Sequence, residues 1–261
     1  MRIVIKVGTS TLTYPGGKLN IRRAELLCKV LSDIRNSGEE LILVSSGAIG
    51  MGVGKLGLKD RPADMPGKQA AAAVGQCELM YTYDRMFSEY SHTVGQVLLT
   101  ADDLRDERRS THVRNTLDQL IAYGAIPIVN ENDAVATDEI GIETTIGEND
   151  SLSAIVAKLT DADLLVILSD IDGHYTGDPR TDENAVMIPE VKHITPEILA
   201  MAGGSGSALG TGGMATKLRA AQITSEAGID LVIANGKRPE ILYEVLEGKQ
   251  VGTRFLGEEK K

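Results

Sequence analysis

Short runs of aliphatic and β-branched residues recur along the chain, and most of them end in glycine or polar residues. Such runs are typical of buried strands in a parallel sheet. The predicted strands lie at residues 2–8, 41–47, 92–99, 125–135, 163–170, 229–236 and 251–256. Lys6 interrupts the first run. Because it stands close to the end of that strand, we expect its charge to be presented at the carboxyl edge of the sheet.

Between the strands, apolar residues return every three or four positions, which predicts helices. One helix follows Asn20 and ends at Gly38, and others lie at 68–90, 101–124, 147–159, 214–228 and 239–247. This alternation predicts an α/β fold, a three-layer αβα sandwich with a mainly parallel central sheet. The chain has no repeat and no long linker, so we expect one domain over 1–261 with a soft boundary near 160.

Three segments are predicted less sharply. Residues 61–67 form a proline-broken loop, and residues 138–147 form an excursion that suits a hairpin. The glycines between 47 and 57 include a GxGxxG match, but the strand before that match ends several residues earlier. A dinucleotide fingerprint needs a different setting. We therefore expect these glycines to let a helix pack closely on neighbouring backbone.

The composition of the chain disfavours several classes of function. The net charge is −10, aromatic residues make up 3% and tryptophan is absent, which disfavours nucleic-acid binding and acidic membrane surfaces. No run approaches the length of a membrane span and no signal peptide is present, so a cytoplasmic protein is expected. Cys28 and Cys77 lie far apart on predicted helices, and both are expected to be reduced, buried or half-buried thiols. The histidines have no zinc-site spacing.

Polar side chains follow the predicted strands of the first half of the chain. Ser46 comes directly after the second strand, and Asn130 and Asp133 belong to a polar burst after the strand that begins at 125. Asn149 and Asp150 stand at the start of the next helix, where capping alone would also explain them. These groups suit a small polar metabolite that carries an amine.

The second half of the chain offers groups that suit a nucleotide. Ser169 and Asp170 follow a strand, and the stretch 203–217 is rich in glycine, leads into a helix and contains Lys217. Glycine-rich turns at helix N-termini bind phosphate through backbone N–H groups. A flexible surface loop would have the same composition, and the loop by itself leaves both readings open. The Walker A pattern and the protein-kinase motifs are absent.

Seven segments together resemble one family: IKVGTS, VSSGAIGMG, VGQVLLT, PIVNENDAVAT, GENDSLSA, LSDIDGHYTGDPR and GTGGMATK. They resemble the glutamate 5-kinase (γ-glutamyl kinase) family of the amino acid kinase superfamily, over nearly the whole chain. The resemblance is to a short form that has a single amino acid kinase domain and no C-terminal PUA domain. Ser169 and His174 depart from residues that are common in the family, and His174 is expected to bear on the adenine-side loop.

The resemblance implies an activity and a set of site residues. The activity is the ATP-dependent phosphorylation of the γ-carboxylate of L-glutamate to L-glutamyl 5-phosphate, the first step of proline biosynthesis. Lys6, Lys217 and Asp150 would be catalytic, with Asp150 orienting the two lysines. Ser46, Asp133, Asn149 and Asn130 would bind glutamate. The nucleotide would be bound by Lys6, Ser169, Asp170, Thr211, Gly212, Gly213, Met214, Ala215, Thr216 and Lys217.

The resemblance also implies partners and a lobe arrangement. Residues 1–160 would bind the amino acid and residues 161–261 the nucleotide, with Mg²⁺ held mainly by nucleotide phosphates rather than by a protein metal site. Proline would be a feedback inhibitor, and a glutamyl phosphate reductase would use the product. A homo-oligomer, dimer or tetramer, is expected, with the helix at 68–80 as an interface. Two alternatives are a superfamily member with another acceptor and a non-catalytic amino-acid or nucleotide sensor.

Overall fold

A computed structural model describes residues 1–14, 18–135, 149–201 and 213–258. The strands within these ranges are β1 Arg2–Val7, β2 Glu40–Ser45, β3 Val94–Leu99, β4 Ile126–Glu131, β5 Leu164–Ser169, β6 His174–Tyr175, β7 Met187–Ile188, β8 Glu190–Val191, β9 Asp230–Asn235 and β10 Thr253–Phe255. Eight of them form the central sheet in the order β3-β4-β2-β1-β5-β9-β10-β8. All neighbouring pairs in that sheet are parallel except β9 and β10. The predicted mainly parallel α/β sheet is therefore confirmed.

Helices cover both faces of the sheet. They are α1 Thr9–Leu12, α2 Ile21–Asn36, α3 Ala48–Leu56, α4 Met65–Ser88, α5 Ala101–Arg105, α6 Glu107–Ala122, α7 Asn149–Leu159, α8 Pro196–Ala200, α9 Met214–Glu226 and α10 Ile241–Leu246. The side chains of α2, α4 and α10 join one hydrophobic core, and those of α6, α7 and α9 join the other. Within the described ranges, no helix combines the length and the apolar character that a membrane span requires.

The period-two alternation of β1 decides where Lys6 points. Ile3, Ile5 and Val7 belong to the core beneath α2 and α4, whereas Val4 belongs to the core beneath α7 and α9. Lys6 lies two residues after Val4, so its side chain faces α7 and α9. A charged residue in a buried strand is thereby aimed at the layer that carries Asp150 and Lys217.

Two helix boundaries differ from the prediction. The segment 101–124, predicted as one helix, is divided at Asp106, whose backbone is extended and whose carboxylate caps α6 by accepting from the Arg109 N–H at 2.8 Å. Helix α4 begins within the predicted loop 61–67, because Asp64 caps it by accepting from the Gly67 N–H at 2.8 Å. Local capping competes with periodicity at both places. The predicted hairpin at 138–147 lies outside the described residues.

Two glycines allow α3 and α4 to approach each other closely. A Cβ atom at Gly52 would lie 1.8 Å from the Ala71 carbonyl oxygen, and one at Gly75 would lie 1.7 Å from the Ala48 carbonyl oxygen. Neither distance can accommodate a side chain, so the helix backbones are in direct contact there. The prediction that glycines in 47–57 serve close packing is confirmed at Gly52. The contact also fixes α3, which begins directly after Ser46 and Gly47, against α4.

The two cysteines differ in exposure. Cys28 is fully buried, as predicted, and its burial raises the pKa of the thiol. The prediction of a buried or half-buried thiol is wrong for Cys77, which is exposed. Gln76 and Leu79 occupy the buried face of α4. Cys77 follows Gln76 by one residue, about 100° around the helix, and so points away from that face.

Candidate active site

The carboxyl ends of β1, β2, β4 and β5 meet at one edge of the sheet because these strands are mutually parallel. In the register of the sheet Lys6 lies beside Val44 of β2 and Ile167 of β5. The residues that follow these strands, Ser46 and Ser169 among them, therefore lie near the same edge. This arrangement brings together side chains that are distant in the sequence.

Two lysines converge on one buried carboxylate at this edge. The Lys6 Nζ lies 2.6 Å from Asp150 Oδ1, and the Lys217 Nζ lies 3.1 Å from Asp150 Oδ2. The Thr216 hydroxyl donates to the same Oδ2 at 2.8 Å. Asp150 is 1% exposed, Lys217 4% and Lys6 8%. The three residues carry a net charge of one positive, so the cluster is electrostatically suited to an anion.

The charge state of Asp150 follows from its surroundings. Burial by itself would raise the pKa of the carboxyl group, but the opposite charges of Lys6 and Lys217 outweigh burial and lower the pKa to about 2. Asp150 is therefore ionised at neutral pH. A buried ion pair is weak support for a purely structural role, since an apolar replacement is often as stable. Lys6, Asp150 and Lys217 form a triad at the open edge of a parallel sheet, and a catalytic or binding role explains that position better.

A second group of side chains forms a chain of hydrogen bonds beside the triad. The Asn149 Nδ2 donates to Ser46 Oγ at 2.7 Å and to Asn130 Oδ1 at 2.9 Å. The Asn130 Nδ2 donates in turn to Gln76 Oε1 at 2.9 Å. Three of these residues are predicted glutamate-binding residues, and the structure places them in contact. Gln76 was missed. Its only signal in the sequence is a polar residue on the buried face of an otherwise apolar helix.

Asp133 lies in a neighbouring cavity of about 360 Å³. Among the residues that line it, Gln76, Gln96, Glu131, Asn132 and Asp133 are polar, and the apolar ones include Ala48, Ala72 and Met80. Burial, followed by the charge of Asp133, raises the pKa of Glu131 to about 7. Burial also raises the pKa of Asp133, against the opposing charge of Arg61. The cavity therefore contains two carboxyl groups that would be stabilised by a cation.

Glu131 makes the free energy of unfolding depend on pH. Its pKa in the folded chain, about 7, exceeds the ordinary value of 4.5, so the folded chain binds the proton more tightly than the unfolded chain. Stability from the protonated group is complete below about pH 4.5 and is lost as the pH rises through 7. We expect Glu131→Gln to raise the free energy of unfolding at pH 8 by about 1–2 kcal/mol, a figure reduced for partial solvent screening.

Urea unfolding of wild type and Glu131→Gln at pH 5 and pH 8 measures this effect. The gain should be large at pH 8 and small at pH 5, where the wild-type group is already mostly protonated. Glu25→Gln, a substitution of an exposed glutamate on α2, should show no such pH-dependent gain. An equal effect of Glu131→Gln at both pH values would contradict the account.

The predicted nucleotide residues lie at the ends of β5 and at the start of α9. The Ser169 hydroxyl donates to Asp170 Oδ1 at 3.2 Å. Gly213 is the N-cap of α9 and has no side chain that could accept from the first N–H groups of that helix. Within this first turn Met214 is half-buried, Ala215 is exposed and Thr216 is bonded to Asp150. Thr211 and Gly212, also predicted, lie outside the described residues.

His174 is part of a packed interior rather than of an open loop. It is 1% exposed, its backbone N–H donates to Thr253 Oγ1 at 2.7 Å, and its ring lies 6.2 Å from that of Phe255. Burial lowers the pKa of its imidazole. An influence of His174 on the nucleotide would therefore act through the packing of β6 and β10.

Comparison with known proteins identifies the family of this chain. The sequence profile described as "Amino acid kinase family" matches residues 1–235. This chain belongs to the amino acid kinase family. Among similar members is a protein named glutamate 5-kinase from Clostridium perfringens (strain 13 / Type A), 58% identical over 255 residues, which cover 98% of this chain and 95% of that protein. Another, from Listeria monocytogenes serotype 4a (strain HCC23), is 54% identical over 260 residues and has the same name, with 100% and 94% coverage.

Solved structures of distant members share the fold. Carbamate kinase from Giardia lamblia, bound to AMP-PNP, superposes with a TM-score of 0.70 at 16% identity, with 98% of each chain covered. A structure described as T. acidophilum isopentenyl phosphate kinase in a product complex superposes with a TM-score of 0.67 at 20% identity, covering 98% of this chain and all of that one. At such identities the likeness concerns the fold, and it agrees with the parallel sheet and its helical layers.

Proposed function

We propose that this chain is a glutamate 5-kinase, which transfers the γ-phosphoryl group of ATP to the γ-carboxylate of L-glutamate and forms L-glutamyl 5-phosphate, the first step of proline biosynthesis. One observation carries the proposal. Asn149 and Asp150, adjacent in the first turn of α7, join two groups of residues: Asn149 bonds to Ser46 and Asn130, and Asp150 pairs with Lys6 and Lys217. An amide-lined site thereby lies next to a cationic one. The high identity to proteins named glutamate 5-kinase supports the choice of acceptor.

The chemistry of this reaction fits the residues at the site. The γ-carboxylate of glutamate is ionised at neutral pH and needs no general base to become a nucleophile. The barrier is electrostatic, because an anion must approach the phosphates of ATP. Lys6 and Lys217 would offset that repulsion and stabilise charge that develops on the transferring phosphoryl group. Asp150 would keep both ammonium groups in place, and its own low pKa keeps it ionised while it does so.

The remaining predicted residues divide between the two ligands. Ser46, Asn130, Asn149 and Asp133 would bind glutamate in the lobe of residues 1–160, with Asp133 facing its ammonium group. Ser169, Asp170 and the stretch 211–217 would bind ATP in the lobe of residues 161–261, and the N-terminus of α9, which begins after Gly213, would receive phosphate oxygens. Among the described residues no cluster of three or more His, Cys, Asp or Glu could hold a metal. Mg²⁺, held mainly by nucleotide phosphates, would neutralise phosphate charge when bound.

Three partners belong to the same proposal. Proline carries the same ammonium and α-carboxylate groups as glutamate, so it could occupy the amino-acid site as an inhibitor. Glutamyl 5-phosphate is a labile acyl phosphate, which calls for a reductase that uses it quickly. A homo-oligomer would use helix α4, where Ala70, Ala73, Cys77 and Tyr81 are exposed along one face without a charged residue among them. We expect the chain to work in the cytoplasm.

Asp133→Ala tests the amino-acid half of the proposal. Removing a carboxylate that faces the substrate ammonium should raise the KM for glutamate by roughly tenfold to a hundredfold, the range of a lost charge-assisted hydrogen bond. The KM for ATP should change little, since Asp133 lies in the other lobe. Steady-state kinetics with each substrate varied in turn measures both constants. Asp84→Ala, which removes an exposed carboxylate from α4, is the control, and an unchanged glutamate KM in Asp133→Ala would contradict the role of Asp133.

A further inference from the structure

Gln76 presents a buried amide to the cavity that contains Asp133. The residue is 8% exposed, and it lines the cavity together with Glu131 and Asp133. Its Nε2 has no hydrogen-bond partner among the residues that the structure describes. An unpaired buried amide N–H costs about 1–3 kcal/mol in stability, so a side chain of this kind is expected to have an acceptor in the working protein.

In the hydrogen-bond chain one end of the Gln76 amide is occupied and the other is available. Asn149 donates to the Asn130 carbonyl oxygen, and Asn130 donates its own amide N–H to Gln76 Oε1. The Gln76 oxygen is therefore occupied. A flip of the Gln76 amide alone would set its nitrogen against the nitrogen of Asn130, donor against donor. In the arrangement that the structure shows, the group that Gln76 offers to a ligand is an N–H donor, and its partner must be an acceptor.

Gln96 and Asn132 also line the cavity, and two further polar residues there have the opposite character to the Gln76 amide. Glu131 and Asp133 are carboxyl groups whose pKa values are raised by burial, and they would be stabilised by a cation. A donor and two carboxyl groups in a cavity of about 360 Å³ match the two charged groups of an α-amino acid. The ammonium group would lie near the carboxyl groups, and the α-carboxylate would accept from Gln76.

We propose that Gln76 is a specificity-determining residue that donates a hydrogen bond from Nε2 to the α-carboxylate of the amino-acid substrate. The inference rests on the proposed function and adds to it the residue that recognises the α-carboxylate. The network from Asn149 through Asn130 sets the orientation of that donor. A site with a dedicated donor rejects a ligand that lacks the acceptor, because the buried amide would then stay unpaired. 4-Aminobutyrate keeps the ammonium group and the γ-carboxylate of glutamate and lacks only the α-carboxylate, so it probes this contact alone.

Gln76→Glu is the sharpest variant. One carboxylate oxygen can still accept from Asn130, while the other replaces the N–H donor by a negative charge of nearly the same shape. We expect glutamate binding to weaken by roughly tenfold to a hundredfold and 4-aminobutyrate binding to change by less than about threefold. The preference for glutamate over 4-aminobutyrate should collapse, and kcat at saturating glutamate should stay within about threefold, because the contact is made before and during transfer alike.

The measurement is equilibrium binding of both ligands by ligand-observed NMR, together with KM and kcat. Gln76→Met, which keeps the length without the donor, should lose the same preference, and the thermal unfolding midpoint of each variant establishes that it is folded. Gln119→Glu adds the same charge on exposed α6 and should leave both ligands unaffected. A folded Gln76→Met or Gln76→Glu chain that keeps the wild-type preference overturns the inference.

Binding without turnover separates this inference from the proposed function. If the wild-type chain binds glutamate but forms no acyl phosphate, the proposed function is wrong, and the preference ratio still decides the role of Gln76. If the wild-type chain binds neither glutamate nor 4-aminobutyrate, the assignment of Gln76 is wrong as well.

Discussion

Lys217→Ala is expected to lower kcat by roughly 10²–10³-fold, the loss that follows removal of one donor to transition-state charge. Lys217 is 4% exposed and its ammonium group is held 3.1 Å from Asp150 Oδ2, so no other side chain can take its place without rearrangement. The KM for glutamate should change far less than kcat, because the lysine acts on the phosphoryl group rather than on the amino acid.

The control is Lys29→Ala, which removes an exposed lysine from α2 and should leave kcat unchanged. Unfolding in urea should accompany the kinetics, so that loss of activity in a folded variant is distinguished from loss of the fold. A folded Lys217→Ala chain with near-normal kcat would contradict the role given to this residue.

Asp150→Asn is expected to lower both activity and stability. The carboxylate holds two ammonium groups, Lys6 at 2.6 Å and Lys217 at 3.1 Å, and without its charge the two lysines repel each other inside the protein. Loss of their positions should lower kcat by about a hundredfold or more. Breaking a buried ion pair typically destabilises by about 3–5 kcal/mol, so the free energy of unfolding should fall on that scale.

The pH dependence identifies the charge as the cause. The pKa of Asp150 is lowered from 3.8 to about 2, so its contribution to stability is present above pH 3.8 and is lost as the pH falls toward 2. The difference in free energy of unfolding between wild type and Asp150→Asn should therefore be full at pH 7 and shrink at pH 3. The control Asp84→Asn, at an exposed site on α4, should show no such difference. A constant deficit across that range would indicate lost packing rather than lost charge.

The sequence pattern predicted the sheet well because buried parallel strands are nearly continuous apolar runs. β1, β5 and β9 each lie within the predicted ranges, and β2 begins one residue before its own. The edge of the central sheet and the separate two-stranded sheet of β6 and β7 were less accessible to pattern alone. β10 is antiparallel to β9, and the two-residue strands β6, β7 and β8 are too short to have a period. Their pairing depends on contacts between distant segments, which propensity does not encode.

The site was predicted partly by strand ends and partly by family resemblance. Polar residues after buried strands indicated Ser46, Asn130 and Asp133, since such positions gather at one edge of a parallel sheet. To predict the contact of Lys6 with Asp150, one would also need to know which face of β1 carries Lys6 and how α7 and α9 pack against that face. Gln76 was not predicted because one polar residue on a buried helix face resembles a tolerated exception. What distinguishes it is an amide nitrogen that has no hydrogen-bond partner among the described residues.

The central claim is that this chain phosphorylates the γ-carboxylate of glutamate. The most direct measurement incubates the purified chain with ATP, Mg²⁺, hydroxylamine and one acceptor at a time: glutamate, aspartate, N-acetylglutamate or a nucleoside monophosphate. Hydroxylamine converts an acyl phosphate to a stable hydroxamate, and ADP release reports transfer to any acceptor. We predict γ-glutamyl hydroxamate with glutamate and neither hydroxamate nor ADP release above background with the others. Turnover of a different acceptor, or binding of glutamate and ATP without any transfer, would contradict the account.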